Sequence, residues 1–168
     1  MNIAKTMFKI APVECLEVDD ATLSDLLNEV FVNGGFTSAE IAPKIFNPAK
    51  VRERGFIVGV FDESQTALAG IIIVVPPGSS AQRLAQGGEA ELHLLAVLPQ
   101  YRRQGIGRLL VSAGIEKSIE IGCSKLILWT QPAMTAAQRL YESLGFVFVR
   151  NMSQEGREFK VYERALAL

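Results

Sequence analysis

The stretch VLPQYRRQGIGRLLVSAG, residues 97–114, decides how the chain is read. A strand-like apolar run ends at Pro99, two arginines follow, and Gly105 and Gly107 open directly into an apolar-periodic segment. Glycines lack a Cβ, so consecutive amides in such a turn are free to point at one spot. The first amides of a helix have no intrahelical partner, and the helix dipole adds partial positive charge there. Such a place suits a phosphate, and Arg102, Arg103 and Arg108 add full charges beside it.

Two well-known phosphate loops do not fit. A P-loop needs Gly-x-x-x-x-Gly-Lys-Ser/Thr, which the chain lacks. A dinucleotide fingerprint needs Gly-x-Gly-x-x-Gly, and Leu110 stands where its third glycine belongs. Alone, the Gly-x-Gly pair is better read as a tight turn before a helix, so its surroundings have to decide.

Outward from this turn, branched apolar runs predict strands over 6–13, 55–63, 68–75, 90–98, 125–131, 146–152 and 158–166. Residues 19–35 start acidic and end at Gly34-Gly35, a helix pattern, and a shorter helix is predicted over 38–47. After Gly105, Ile106, Leu109, Leu110 and Ala113 are expected on one helix face. Val111, Ile115 and Ile119 are expected on the other, with both faces covered. A last helix is predicted over 134–145, with Gly145 suited to a left-handed C-terminal position. The first hairpin turns at DESQTA, 62–67, and the Gly/Ser/Pro-rich segment 76–90 is expected to be a mobile surface loop. Strands alternating with helices imply a mixed sheet covered on both faces. No repeat or linker interrupts the pattern, so 1–168 is expected as a single domain.

Composition excludes several classes. A net charge of −1 offers no general attraction to nucleic acid, and no aromatic platform is interleaved with basic residues. The most apolar run, 67–78, is too short to cross a bilayer. Residues 1–18 lack the apolar core and small-residue cleavage site of a secretory signal. Cys15 and Cys123 lie far apart, without metal-ligand spacing or a histidine neighbour, as expected of reduced thiols. These features predict a cytoplasmic protein with no metal site and no nucleic-acid or membrane partner; a homodimer stays open.

Arg102-Arg103-Gln104-Gly105-Ile106-Gly107 matches the Arg/Gln-x-x-Gly-x-Gly/Ala signature of the Gcn5-related N-acetyltransferase (GNAT) superfamily. With ELHLLAVLP before it (91–99) and RLYESLGF after it (139–146), the chain resembles that superfamily from Glu89 to Arg150. The resemblance implies an α/β (α+β) fold. Its central sheet is mixed and mostly antiparallel, with six to seven strands, about four helices on both faces and a splayed parallel strand pair. It implies an N-acetyltransferase that moves an acetyl group from acetyl-CoA, as co-substrate, to a primary amine by direct attack in a ternary complex. The alternative is an acyl-CoA-binding sensor or regulatory module without turnover.

The same resemblance assigns roles. The loop Arg102, Arg103, Gln104, Gly105, Ile106, Gly107 and Arg108 would grip the pyrophosphate, and the pantetheine arm would lie beside Leu95, Ala96 and Val97, where the strand splays. Main chain without a ladder partner needs another partner when buried, and the Val97 amide would act as the oxyanion donor. Tyr141 falls where the resemblance places the proton donor to the coenzyme sulfur; a phenol of pKa about 10 holds its proton at neutral pH. Met134 stands where the family motif usually has asparagine, three residues before Ala137, and a flexible thioether suits packing along the arm.

The base is less determined. Strand alternation places Glu91, His93, Leu95 and Val97 on one face. Glu91 matches the glutamate base of the superfamily's histone acetyltransferases and ranks first. His93, the only histidine, has an ordinary pKa of about 6.5 and ranks second. For the acceptor, the resemblance points to 31–42 and 151–160. There Phe31 and Phe36 would floor a slot, and Glu40, Glu155 and Glu158 would attract a cationic amine. Taken singly, each of these residues is better explained as a core aromatic or a solvated surface charge.

Overall fold

The run ALAGIIIVV has no polar side chain to turn toward water, which suits only a strand covered on both faces. In the computed structural model, which describes residues 7–167, it forms β3 (Ala67–Val75), buried from Leu68 to Val75. Around it lie β1 (Phe8–Pro12), β2 (Phe56–Asp62), β4 (Glu89–Val97), β5 (Lys125–Thr130), β6 (Val147–Gln154) and β7 (Arg157–Ala165). The sheet order is β1-β2-β3-β4-β5-β7-β6, and every neighbouring pair is antiparallel except β4 with β5. The mixed sheet with a single parallel pair agrees with expectation, and the strand count takes the upper value. Thr6, at the start of the expected first strand, and residues 1–6 of the segment tested for a secretory signal lie outside the described residues.

Two layers of helix cover the sheet. On one face α1 (Asp20–Leu27), α2 (Ala42–Ile45) and α3 (Pro48–Glu53) close over Ile71, Ile73 and Val75. On the other, α4 (Ile106–Glu120) and α5 (Thr135–Ser143) close over Ile72 and Val74. Asp19 caps α1 by accepting the Thr22 amide at 2.8 Å. From Asn28 to Val32 the helix widens into a π turn, and Gly35, at φ 82°, reverses the chain. The single short helix predicted over 38–47 is only Ala42–Ile45. A fifth helix, α3, follows it, started by the Asn47 side chain accepting the Lys50 amide and by Pro48 in the first turn.

The helix after Gly105 departs from its expected two covered faces. It buries a single face made of Ile106, Leu110, Val111, Gly114, Ile115 and Ser118, while Leu109 and Ile119 are exposed. α4 lies across β2, β3 and β4, and among the described residues nothing covers its outer side at those two positions. Gly114 allows the close approach, since a Cβ there would come within 2.9 Å of Leu92 Cδ2.

Gly70 plays the same part within the sheet. A Cβ at Gly70 would stand 2.7 Å from the Ala96 carbonyl oxygen and 3.1 Å from Leu110 Cδ1. The first of these atoms is backbone and cannot swing aside. Gly70→Ala should therefore lower stability by about 1–3 kcal/mol, read as a lower denaturant midpoint with an unchanged slope; an unaltered midpoint would contradict this packing.

Candidate functional site

β4 carries the site because it leaves both its neighbours in turn. It pairs with β5 only over Glu89–Glu91 against Lys125–Ile127, and beyond that point the two strands part. Against β3 the register slips between Ile73↔His93 and Ile71↔Ala96, so Leu94 and Leu95 together oppose Ile72. Leu94 takes φ 52°, the left-handed turn of a bulge.

The bulge overturns the alternation expected from the sequence. Glu91 and His93 pair with Val75 and Ile73, on the face closed by α1 to α3. Leu95 and Val97 instead pack toward α4 and α5, so the four residues do not share a face. One extra residue in a strand sends every later side chain to the opposite side. It also aims the main chain. The Leu98 amide bonds to the Ala69 carbonyl at 2.9 Å, which turns the Val97 amide away from β3 and toward the gap left by β5.

At the start of α4, Gly105 holds φ 79° as N-cap and Arg103 holds φ 62°. Among the described residues, the amides from Arg103 to Arg108 make no hydrogen bond, while the Gly105 carbonyl accepts the Leu109 amide at 3.1 Å. Arg102, Arg103 and Gln104 are exposed. Gln104 Nε2 donates back to the Gln100 carbonyl, and Arg108 Nη2 donates to Ser143 Oγ at 2.9 Å, tying α4 to α5. Gly107 packs against α5, where a Cβ would come within 3.0 Å of Leu140 Cδ2. These residues form an anion-ready helix start that could hold a diphosphate.

A cleft of about 640 Å³ opens between β4 and β5 and runs over the α2–α3 side. Leu94, Leu95, Trp129, Met134 and Tyr141 line it, as do His93, Arg54 and Arg83. Tyr141 is buried between Phe146 and Tyr162, with ring centroids 5.8 and 6.3 Å away. Its hydroxyl has no protein partner among the described residues, and burial pushes its pKa well above the ordinary phenol value. A group so placed keeps its proton. Met134 stands at the N-cap of α5 without a capping hydrogen bond, and its sulfur accepts from Thr130 Oγ1 at 3.6 Å.

Glu91 is fully buried and both its oxygens are occupied. Oε2 accepts the amides of Arg83, Leu84 and Ala85 at 2.8, 2.7 and 2.7 Å, while Oε1 accepts Arg83 N at 3.1 Å and faces His93 Nε2 at 2.8 Å. Burial alone would raise its pKa; the bonds from His93 and the three amides outweigh that and hold it below the ordinary glutamate value. Of the segment 76–90, expected as a mobile loop, the last two residues belong to β4, and 76–88 is pinned to the sheet by these bonds, with Ser79 Oγ adding one to the Arg54 carbonyl at 2.8 Å. A loop rich in Gly, Ser and Pro reads as loose until the buried acceptor that collects its amides is seen.

His93 Nδ1 faces Arg54 Nη1 at 3.2 Å, and a guanidinium only donates, so Nδ1 accepts and Nε2–H donates to Glu91. Burial lowers the His93 pKa further than Glu91 raises it, with Arg54 adding to the lowering, so the ring is neutral at pH 7. Trp129 packs edge-on at 5.0 Å. Of the expected acceptor residues, Phe31 lines the cleft stacked on Phe46 at 5.4 Å, and Glu155 lines it at the tip of the β6–β7 hairpin. Phe36 contributes its carbonyl, which accepts from Gln131 Nε2 and Arg157 Nη2. Glu40 and Glu158 are not among the lining residues. Arg54, Arg83 and Trp129 escaped the sequence reading; the Asn-Pro start of α3 was the one local signal that leads toward Arg54.

This geometry accords with known proteins. A model of the "Acetyltransferase (GNAT) family" matches residues 21–146, and the chain belongs to that family. The chain is 45% identical over 58 residues, 34% of its length, to the [ribosomal protein bS18]-alanine N-acetyltransferase of Escherichia coli, covering 39% of that protein. It is 42% identical over 62 residues, 37% of its length, to the mycothiol acetyltransferase of Thermobispora bispora, covering 21% of it. These matches thus span well under half of the relatives' lengths. In fold, it matches the crystal structure of the Escherichia coli ribosomal-protein-S18-alanine N-acetyltransferase with a TM-score of 0.71 at 24% identity, covering 96% of each chain. It matches a Bacillus subtilis acetyltransferase solved in complex with CoA with a TM-score of 0.65 at 19% identity, covering 97% of this chain and 100% of that one.

The Glu91 knot can be tested through stability. Glu91→Gln replaces one acceptor oxygen by an amide facing main-chain N–H groups, so it should cost about 1–3 kcal/mol. Both Glu91 and His93 take up protons more readily in the unfolded chain. Wild-type stability should therefore be full above about pH 6.5 and fall below it, first through the histidine range and then through that of Glu91. The variant should lose the lower part of that dependence; thermal melts from pH 8 to 3 that superimpose in shape would disprove the assignment.

Proposed function

We propose that this protein transfers the acetyl group of acetyl-CoA to a primary amine by direct attack within a ternary complex. The observation that carries this reading is the row of unbonded amides from Arg103 to Arg108 beside three arginines. Its Gly107 packs on Leu140 of α5, the residue that precedes Tyr141. Backbone N–H groups at a helix start favour a diphosphate, and Leu95, Ala96 and Val97 offer main chain to the acyl arm where β5 has parted from β4. Met134 packs along that arm in place of a polar contact.

In the reaction the amine nitrogen bonds to the acetyl carbon, the carbon–sulfur bond breaks, and one proton moves in net from nitrogen to sulfur. The Val97 amide faces the gap and stabilises negative charge as it develops on the carbonyl oxygen. Tyr141 supplies the proton to sulfur, in keeping with its retained proton and partner-free hydroxyl. The nitrogen's proton goes to the His93–Glu91 pair. Glu91, with both oxygens filled, acts as the positioning residue, and His93 Nδ1 is the accepting atom once Arg54 Nη1, which donates to it at 3.2 Å, has moved off. The two unpaired thiols and the absence of a bilayer-length helix among the described residues suit a cytoplasmic place for this chemistry.

The binding half of this reading is tested at Gly105, where a side chain must adopt a positive φ that costs about 1 kcal/mol or more and projects at the mouth of the loop. Gly105→Val should keep its circular dichroism spectrum and weaken acetyl-CoA at least tenfold by calorimetry; unchanged affinity would remove the loop from the site. For the chemistry, Tyr141→Phe should retain coenzyme affinity and lose at least tenfold in kcat in a thiol-release assay over an amine panel. Wild-type turnover in that variant excludes Tyr141 as donor, and coenzyme binding without release for every amine favours a non-catalytic module.

A further inference from the structure

Five cationic side chains line the cleft, Lys44, Lys50, Arg54, Arg83 and Arg157, against two acidic ones, Glu53 and Glu155. In a chain whose net charge is −1, this is a local reversal of sign. None of the five belongs to an ion pair among the described residues. Arg54 is the most constrained of them. Half-buried, it donates Nη2 to the Ile45 carbonyl at 3.0 Å and presents Nη1 to His93 at 3.2 Å, with no carboxylate in contact. Burial depresses its pKa, and the charge of Arg83 presses in the same direction. The buried carboxylate nearby, Glu91, is filled by three amides and His93. A sheltered guanidinium beside a second cation is costly without an opposing charge.

We infer that the acceptor is an amine of α-amino-acid type, whose carboxylate is held by Arg54 and Arg83 while its amino group faces His93. This rests on the acetyl-transfer reading above and narrows its acceptor to an amine that also carries a carboxylate, a group that the expected attraction by Glu40, Glu155 and Glu158 does not call for. A guanidinium matches a carboxylate in two parallel hydrogen bonds, and in an α-amino acid that group lies one carbon from the nitrogen. A carboxylate that takes Arg54 Nη1 also draws it off His93 Nδ1, freeing that nitrogen to accept the amine's proton. Phe31, stacked on Phe46, gives the side chain of such an acceptor an apolar wall.

The test compares phenylalanine with phenylalaninamide, and glycine with glycinamide, by steady-state thiol release in the wild type and in Arg83→Gln. The amides carry the less basic nitrogen, so a preference for the acids cannot arise from amine protonation. The acids should show kcat/KM at least tenfold above their amides. Arg83→Gln should raise KM for the acids at least tenfold, change the amides by less than twofold, and leave acetyl-CoA affinity as it was. Amides used as well as the acids overturn the inference while the acetyl-transfer reading stands. Acetyl-CoA weakened tenfold by Arg83→Gln also overturns it, by assigning the cations to the coenzyme. If acetyl-CoA binds but no amine is acetylated, the acetyl-transfer reading fails instead. The anion site is then decided by titrating phenylalanine into the coenzyme-loaded protein: heat that Arg83→Gln abolishes supports it, and no heat in the wild type refutes it.

Discussion

The parting of β4 from β5 after Glu91 is the constraint on which the rest of the molecule turns. Parallel strands that stayed in register would bury their main-chain groups in one another and leave no cleft. Here the ladder stops after three residue pairs, and the bulge at Leu94 turns the following segment away. β5 continues with β7 as far as Thr130, so the sheet is not broken by the gap; it only opens on one side. Unladdered amides such as Val97's then have direction without an acceptor among the described residues. A thioester held there meets donors that need no rearrangement when charge develops.

Glu91 stands at the fork, and its position explains both its burial and its partners. It is the last β4 residue paired with β5 and the acceptor for three successive amides of the 76–88 segment. The same carboxylate fixes the tautomer of His93, which meets Arg54 at the C-terminal end of α3. One buried charge thus joins a loop, a strand and a short helix into a single wall of the cleft. The arrangement holds only while each donor is in place, because an ionised carboxylate left with fewer partners in that setting is strongly disfavoured. It also makes Glu91 a poor proton shuttle, since a proton arriving there would have to displace a hydrogen bond.

Much of the fold and part of the site were legible in the chain. Continuous apolar runs marked the strands, β3 above all, and Gly105, Gly107 and the arginines marked an anion-ready helix start. Tyr141 was singled out through its motif, and the structure places it in the wall of the cleft, where burial raises its pKa. The shared face of Glu91, His93, Leu95 and Val97 was misread, because strict alternation assumes an unbroken strand. Nothing in ELHLLAVLP announces a bulge; the slip is set by the fit of β4 against β3, where Gly70 brings the Ala96 carbonyl close. The supposed second covered face of α4 failed for a similar reason, as apolar side chains do not reveal whether a neighbour exists to cover them.

By itself, the sequence determined the strands in their order, most of the helices, and the glycine turn that opens the anion-ready helix start. These follow from local rules, such as side-chain period, capping chemistry and the steric freedom of glycine, that act over a few residues. Only the tertiary structure decided that Glu91 is an anchor, that the 76–88 segment is pinned, and that Arg54 and Arg83 stand together over His93. Those relations join residues tens of positions apart through burial and charge, and such forces take effect only once the chain has closed around them.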